Sequence, residues 1–439
     1  MRSHGEGAAK CATVSTALPP SLWAATAAPA AATPMLAESC DADVAIVGAG
    51  FTGLVTALHL AERGVRVRVL EAAEPGWGAS GRNGGQVIPG LKYDPDAFAA
   101  TFGPARAEAM IALAGGAADT VFEVIARHGI ACDARRDGWI QPAHSAGMLA
   151  AQQQRVRQWQ ARGAPVEMLD RATVARRIGT DAYIGGWVDR RAGSLHPLSY
   201  VRGLVRAAQL HGAEIHGDTA VTSLARRSGH WMLTTAPGAT VRAARVLIAT
   251  NGYTGDLWPG LRRTVIAANS FIVATDPLPP SLAGTLLPGG EVGSDSRRLL
   301  LYFRKDAAGR LLLGGRGSFA EPTSPQAWAH LERSVAHLFP QLNGIGFSYR
   351  WAGRVAVTRD SLPHVHEPAP GLTIALGYNG RGVAMATTLG KALAERLSGH
   401  GDAPFVFPIT PIRPIPLHGL QRLYFSAAVA WYRLLDRLA

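Results

Sequence analysis

A chain of 439 residues, 47% hydrophobic and 17% charged, has the composition of a protein with a large core, which excludes a disordered or fibrous one. Its formal charge of +12 comes mostly from Arg, spread along an Ala-, Gly- and Arg-rich sequence without a dense basic block. That pattern argues for compositional bias over a nucleic-acid or membrane-surface partner. Three cysteines, Cys11, Cys40 and Cys132, show neither metal spacing nor a disulfide framework. No metal site is read, and a reducing, cytoplasmic setting is expected.

Residues 1–40 read as an extended leader anchored by Leu22 and Trp23. Ala12 to Ala37 carries no charge, but Pro19, Pro20, Pro29 and Pro34 interrupt it, so neither a signal h-region nor a spanning helix can be drawn. From Val44 to Glu71 the chain spells a complete βαβ unit. An apolar strand enters Gly48-Ala49-Gly50-Phe51-Thr52-Gly53, an amphipathic helix runs to Arg63, Gly64 ends it, and a second strand closes on Glu71. This is a dinucleotide fingerprint. Gly48 allows the tight turn, Gly50 admits a pyrophosphate, and Gly53 lets the helix sit close to the strand. The helix N-terminus faces the phosphates, and Glu71 is placed to accept from a ribose diol.

The next loop, Pro75 to Gln86, has five glycines in ten residues, with Ser80, Arg82, Asn83 and Gln86 as added donors. Nicotinamide enzymes do not usually need such a second cradle, whereas a longer flavin dinucleotide does. Leu91 to Arg190 reads as helical, with two helices over Asp96–Ala131 and another over Ala146–Arg162. His128 and Cys132 are read there as packing residues. His196-Pro197-Leu198 opens a helix to Gly212, with Pro197 in its first turn. Ala220–Ala225, His230–Thr235 and Thr240–Ala249 form a three-stranded meander running into Asn251-Gly252-Tyr253. Further strands are read at Ser270–Thr275, Arg298–Arg304 and Arg310–Gly315, followed by a helix near Ala327–Phe339. A last strand, Leu372–Leu376, enters the turn Gly377–Gly382 and a helix to Leu397, which aims a second helix N-terminus at a ligand. The tail after Phe405 reads as an amphipathic helix bearing Leu420, Leu423, Val429, Trp431, Leu434 and Leu435.

On these motifs the sequence resembles the D-amino-acid oxidase/glycine oxidase/sarcosine oxidase superfamily of FAD enzymes. Within it, Ala79–Gln86, His196-Pro197-Leu198, Tyr349-Arg350-Trp351 and the terminal Ala430–Leu438 resemble the gamma-glutamylputrescine oxidase branch. The resemblance implies an α/β fold in which a Rossmann-type FAD-binding domain (41–90, 195–260, 360–400) is interleaved with an α+β substrate domain on an antiparallel sheet (91–194, 261–359). The tail is 401–439. It implies non-covalent FAD, with Gly48, Gly50, Phe51, Thr52, Gly53 and Glu71 at the ADP half. Ala79, Ser80, Arg82, Asn83, Gly84 and Gln86 would wrap the middle, and Val221 would meet the adenine. Gly252, Gly380, Gly382 and Val383 would border the isoalloxazine.

The implied reaction takes a small-molecule amine, with gamma-glutamylated or free polyamines first in line, to an imine by hydride transfer to flavin N5, with O2 or another acceptor reoxidising the flavin. Tyr253, Tyr302, Arg304 and Arg381 are the candidate catalytic or pocket residues. Two departures from the family pattern matter. Relatives carry His where Arg381 stands. In amino-acid-oxidising relatives, the Arg that pairs with the substrate carboxylate aligns with Val355, with Arg354 one place earlier. Other readings are an amino-acid oxidase or dehydrogenase of the same fold, a flavin enzyme acting on a tRNA base side chain, and a quinone-linked dehydrogenase whose tail touches a membrane.

Overall fold

The computed structural model describes residues 17–399 and 405–438; Cys11, much of the expected leader and residues 400–404 lie outside them. Two eight-stranded sheets are drawn from alternating stretches of chain. The first runs, in spatial order, His364–Ala369, Leu372–Leu376, Thr240–Ile248, Cys40–Val47, Val67–Leu70 and Glu214–His216. The last five of these are mutually parallel, and the hairpin Val221–Arg227/His230–Thr235 pairs onto Thr240–Ile248. Buried on both faces, the parallel strands read as apolar runs, as in Val44-Ala45-Ile46-Val47. Helices Phe51–Ala61, Pro197–Leu210 and Gly382–Ser398 pack in the same core, with Leu54, Leu58, Leu204 and Leu389 fully buried.

The second sheet runs Phe347–Val357, Ile266–Pro277, Arg310–Arg316, Tyr302–Lys305, Val292–Ser294, Trp139–Ala143, Gly185–Asp189 and Val166–Leu169. It is antiparallel except where Val292–Ser294 lies parallel to Trp139–Ala143. Three of these strands fall in the stretch expected to be helical. Trp139–Ala143 contains Pro142 and Gly185–Asp189 opens on two glycines, signals that argue against a strand. The sheet uses them for close approach: a Cβ at Gly186 would meet the Gln141 carbonyl oxygen at 2.7 Å. Residues 96–131 form three helices rather than two, Ala97–Phe102, Pro104–Gly115 and Ala117–Arg127, because Gly103-Pro104 and Gly116 each break the run.

Leu22 and Trp23 anchor the leader as expected, but in a short helix, Leu22–Thr26, with Leu22 fully buried. The tail crosses back along the first sheet, where Thr410 N donates to the Val365 oxygen, before forming the helix Gln421–Leu438. Phe425 of that helix packs on Phe319 and lies 4.8 Å from the Arg316 guanidinium, while Leu423 and Trp431 stay exposed. Among the described residues no single helix is long and apolar enough to cross a membrane.

His196 caps the helix Pro197–Leu210. Its Nδ1 accepts from Ser199 N at 3.1 Å, so the proton sits on Nε2, which lies 3.0 Å from Thr26 Oγ1. Burial pushes this imidazole down to about 4. The folded pKa lies below the unfolded one, so the unfolded chain takes the proton first and stability falls as pH drops from about 6.5 toward 4. Between pH 7 and 5 this costs roughly 2 kcal/mol, or about 2 °C of Tm for a chain this long. His196→Asn keeps a capping acceptor that does not titrate. Calorimetric scans at the two pH values should show the Tm drop shrinking by that amount; an equal drop in the variant contradicts the assignment.

Candidate active site

A cavity of about 1600 Å³ lies between the two sheets. Its floor is the carboxyl ends of the first sheet (Val47, Leu70, Ile248), and its roof comes from the second (Asn269, Ile272, Tyr302, Val355). Two helices begin at its wall, Phe51–Ala61 and Gly382–Ser398, and in neither does the N-cap residue's own side chain bond the first turn. First-turn amides are thus directed at the cavity, the arrangement that binds an anion. Tyr378 Oη and Thr52 Oγ1, 2.6 Å apart and buried, hold the two helix starts together. Asn251 Oδ1 accepts from Gly377 N and so joins the two strand-end turns.

The fingerprint glycines serve packing as well as access. A Cβ at Gly53 would stand 2.0 Å from the Gly48 carbonyl oxygen, so no side chain fits there. Glu71 lines the cavity beside the turn; its Oε2 accepts from Ala49 N at 2.7 Å and its Oε1 from Ala73 N at 3.2 Å. Burial raises this carboxyl above the usual range, while the backbone donors oppose that shift.

The glycine-rich loop 76–85 is held by indole N–H groups that sequence reasoning did not assign. Trp23 Nε1 donates to the Asn83 oxygen at 2.8 Å and Trp351 Nε1 to the Arg82 oxygen at 2.9 Å. Ser80 Oγ accepts from Phe51 N, so the loop is tied to the helix start. The Asn83 side chain is used within the loop, toward Ala79, Ser80 and Gly85. Arg82 lies on the cavity wall, stacked 4.1 Å over Trp77, with Nε given to the Trp77 oxygen and a buried Nη2 left without a partner.

Most of the residues singled out from sequence line this one cavity. They are Gly48, Gly50, Phe51, Thr52 and Glu71 from the fingerprint, and Ala79, Ser80, Arg82, Asn83, Gly84 and Gln86 from the loop. Val221, Tyr253, Tyr302, Gly380, Gly382 and Val383 join them. Gly252 sits one layer back against Arg354, and Gly53 beneath the turn. Tyr302 lies against Gly84 and shares a hydrogen bond with Ser270 at 2.9 Å. Tyr253 accepts from Arg354 N and packs on Trp77.

Arg304 is different. It shares a strand face with Tyr302, but its longer side chain reaches backbone, donating to the Gly85 and Leu195 oxygens at 3.1 and 2.7 Å. Gly85, at φ +69°, leaves room for it; a Cβ there would meet the Leu195 oxygen at 2.2 Å. Arg304 therefore fastens the loop and does not line the cavity. Arg381 caps the late helix from just outside the cavity lining, stacked 5.0 Å over Trp139 with a buried Nη1 unpartnered.

The cavity also recruits residues that no motif announced. Lys92 lines it, one of four lysines in the chain. Desolvation, together with Arg381, Arg155 and Arg316, pushes its amine down to about 8. Arg316 lines it too, and among the described residues neither Lys92 nor Arg316 has an ion-pair partner. Arg354, by contrast, is committed to Glu321 at 2.9 Å.

Two helix starts at one cavity, a buried guanidinium nitrogen without a partner among the described residues and an acid beside the glycine turn suit a long dinucleotide with a pyrophosphate at its centre. The fold and site define the class: an FAD-dependent oxidoreductase. Residues 43–396 match the DAO family, FAD dependent oxidoreductase, and the chain belongs to that family; with its relatives this marks an enzyme acting on CH–NH donors. It is 34% identical to the probable oxidoreductase OrdL of Rhizobium meliloti over 408 residues, covering 92% of this chain and 94% of that one. It is 33% identical to the gamma-glutamylputrescine oxidoreductase of Escherichia coli over 421 residues, covering 95% and 98%. The crystal structure of glycine oxidase from Geobacillus kaustophilus superposes with a TM-score of 0.70 at 23% identity, covering 86% of this chain and 99% of the other.

Proposed function

We propose that this enzyme oxidises an amine whose far end carries a carboxylate, a gamma-glutamylated polyamine being the leading candidate, to an imine that water hydrolyses to aldehyde plus amine or ammonia. O2 is the proposed terminal acceptor. The observation that carries the reading is two cavity cations, Lys92 and Arg316, without a carboxylate partner among the described residues, together with the near full-length likeness to gamma-glutamylputrescine oxidoreductase. A free diamine is a dication and is repelled by them; a gamma-glutamyl group offers the anion they lack.

Gly48, Gly50, Glu71, Ser80 and Arg82 would hold the dinucleotide, with Gly380, Gly382 and Val383 at its ring. FAD held there would supply the two-electron acceptor for the C–H beside the amine nitrogen. The chain's own part is to deliver that amine uncharged and aligned. Ile272, Val355 and Ile88 exclude water, and this desolvation lowers the amine's pKa, so its proton leaves before the C–H bond breaks. No separate base is called for. Of the lining acids, Asp256 and Glu321 are paired with Arg262 and Arg354, and Glu71 sits at the nucleotide turn. A tRNA substrate would need a concentrated basic face, and we place no nucleic acid among the partners. The free thiols Cys40 and Cys132 suit the cytoplasm.

The test is an anaerobic flavin-bleaching screen over amines and amino acids; fastest bleaching by a plain amino acid rejects the proposal. Cofactor attachment is checked separately. Among the described residues neither His nor Cys lines the cavity, so acid precipitation should release FAD into the supernatant. Colour retained in the pellet contradicts non-covalent binding.

A further inference from the structure

Away from the cavity, three helices of the first core end side by side. Glu62 is the C-terminal cap of Phe51–Ala61, His128 of Ala117–Arg127 and His211 of Pro197–Leu210. One ligand atom from each lies within 4.8 Å of the other two. We propose that Glu62, His128 and His211 form a binding site for a divalent transition-metal ion of the zinc type, which staples the three helix ends together.

Four observations support it. The donor set, two imidazoles and a carboxylate, is one that zinc takes with a fourth position left to water. Zinc bonds of about 2.0–2.1 Å put tetrahedral ligand atoms about 3.3 Å apart; Glu62 Oε1 and His128 Nε2 are 3.4 Å apart. The His128 side chain is only 7% exposed, and among the described residues its buried Nε2 has no hydrogen-bond partner. Finally, each helix brings the negative end of its dipole to the same spot, which favours a cation there. His59 Nδ1 lies 2.8 Å from Glu62 Oε2 and orients the carboxylate, as outer partners of metal ligands do.

The competing arrangement is an ion-pair cluster. Arg127 Nη2 lies 3.0 Å from Glu62 Oε1, but that side chain is 64% exposed and free to swing away. His211 separates the two accounts. It packs edge-on against His128, ring centroids 5.7 Å apart, and is exposed, so its removal leaves the Glu62 cluster and the core intact.

The experiment uses tag-free, full-length holoenzyme stripped with a chelator, then dialysed against zinc chloride. The expected result is one zinc ion per chain at micromolar affinity or tighter, with a Tm raised by zinc. Glu62→Gln and His211→Ala should each weaken binding by about tenfold or more and abolish the Tm increment, with FAD content unchanged in His211→Ala. Absence of saturable binding, or binding and Tm increment unaltered in His211→Ala, overturns the proposal. The site lies at the far end of Phe51–Ala61 from the phosphate turn, roughly 16 Å along an eleven-residue helix. Zinc is therefore expected to change melting and not turnover at saturating FAD.

Discussion

Replacing Glu71 by Ala is expected to weaken FAD binding by at least about tenfold, with a near-normal turnover number once the cofactor is saturating. The carboxylate already holds Ala49 N and Ala73 N, and it still has acceptor positions at the cavity for a ribose diol. Each charge-assisted bond to that diol is worth roughly 1.5–3 kcal/mol. Alanine removes them and strands the Ala49 amide, so the loss falls on binding and not on the chemical step. Titration of apoenzyme with FAD reads the dissociation constant directly. An unchanged constant would show that the acid beside the glycine turn does not meet the nucleotide.

The second large effect is expected in substrate choice. Glycine, sarcosine and D-alanine carry a carboxylate one carbon from the amine, so oxidation would place it where Val355 lines the cavity. Leaving that charge unpaired in an apolar setting costs several kcal/mol, which corresponds to a kcat/KM at least about a hundredfold below that for a gamma-glutamylated polyamine. Arg354 does not rescue it. It lines the same cavity, but its guanidinium is held by Glu321 at 2.9 Å. In the proposed substrate the carboxylate is remote and would meet Lys92 and Arg316. Lys92→Met should therefore raise KM for the glutamylated amine while sparing kcat, with no such penalty on free putrescine. A kcat/KM for any of the three amino acids above that for the glutamylated amine would sink the proposal. It would also identify Arg354 as a relocated carboxylate clamp.

Local physics decided a good deal of this protein from sequence alone. Gly48, Gly50 and Gly53 between two apolar strands and Glu71 after the second can serve little else. The turn chemistry and the acid are local in sequence, and the structure assembles them as written. The glycine-rich loop and the late turn Gly377–Gly382 were legible for the same reason. Short strands such as Trp139–Ala143 and Gly185–Asp189 were not, because their glycines and proline contradict propensity and only pairing across the second sheet makes them strands. Nor could sequence show which polar groups are already taken. Alternation places Tyr302 and Arg304 on one face, yet only folding reveals that Arg304 is satisfied by the Gly85 and Leu195 carbonyls while Tyr302 is left at the cavity. Lys92 and Arg316, far apart along the chain, come to line one cavity only where the second sheet closes over the first. The three helix caps Glu62, His128 and His211 converge for the same reason: helix lengths and packing angles, not spacing in the chain, set where their ends meet.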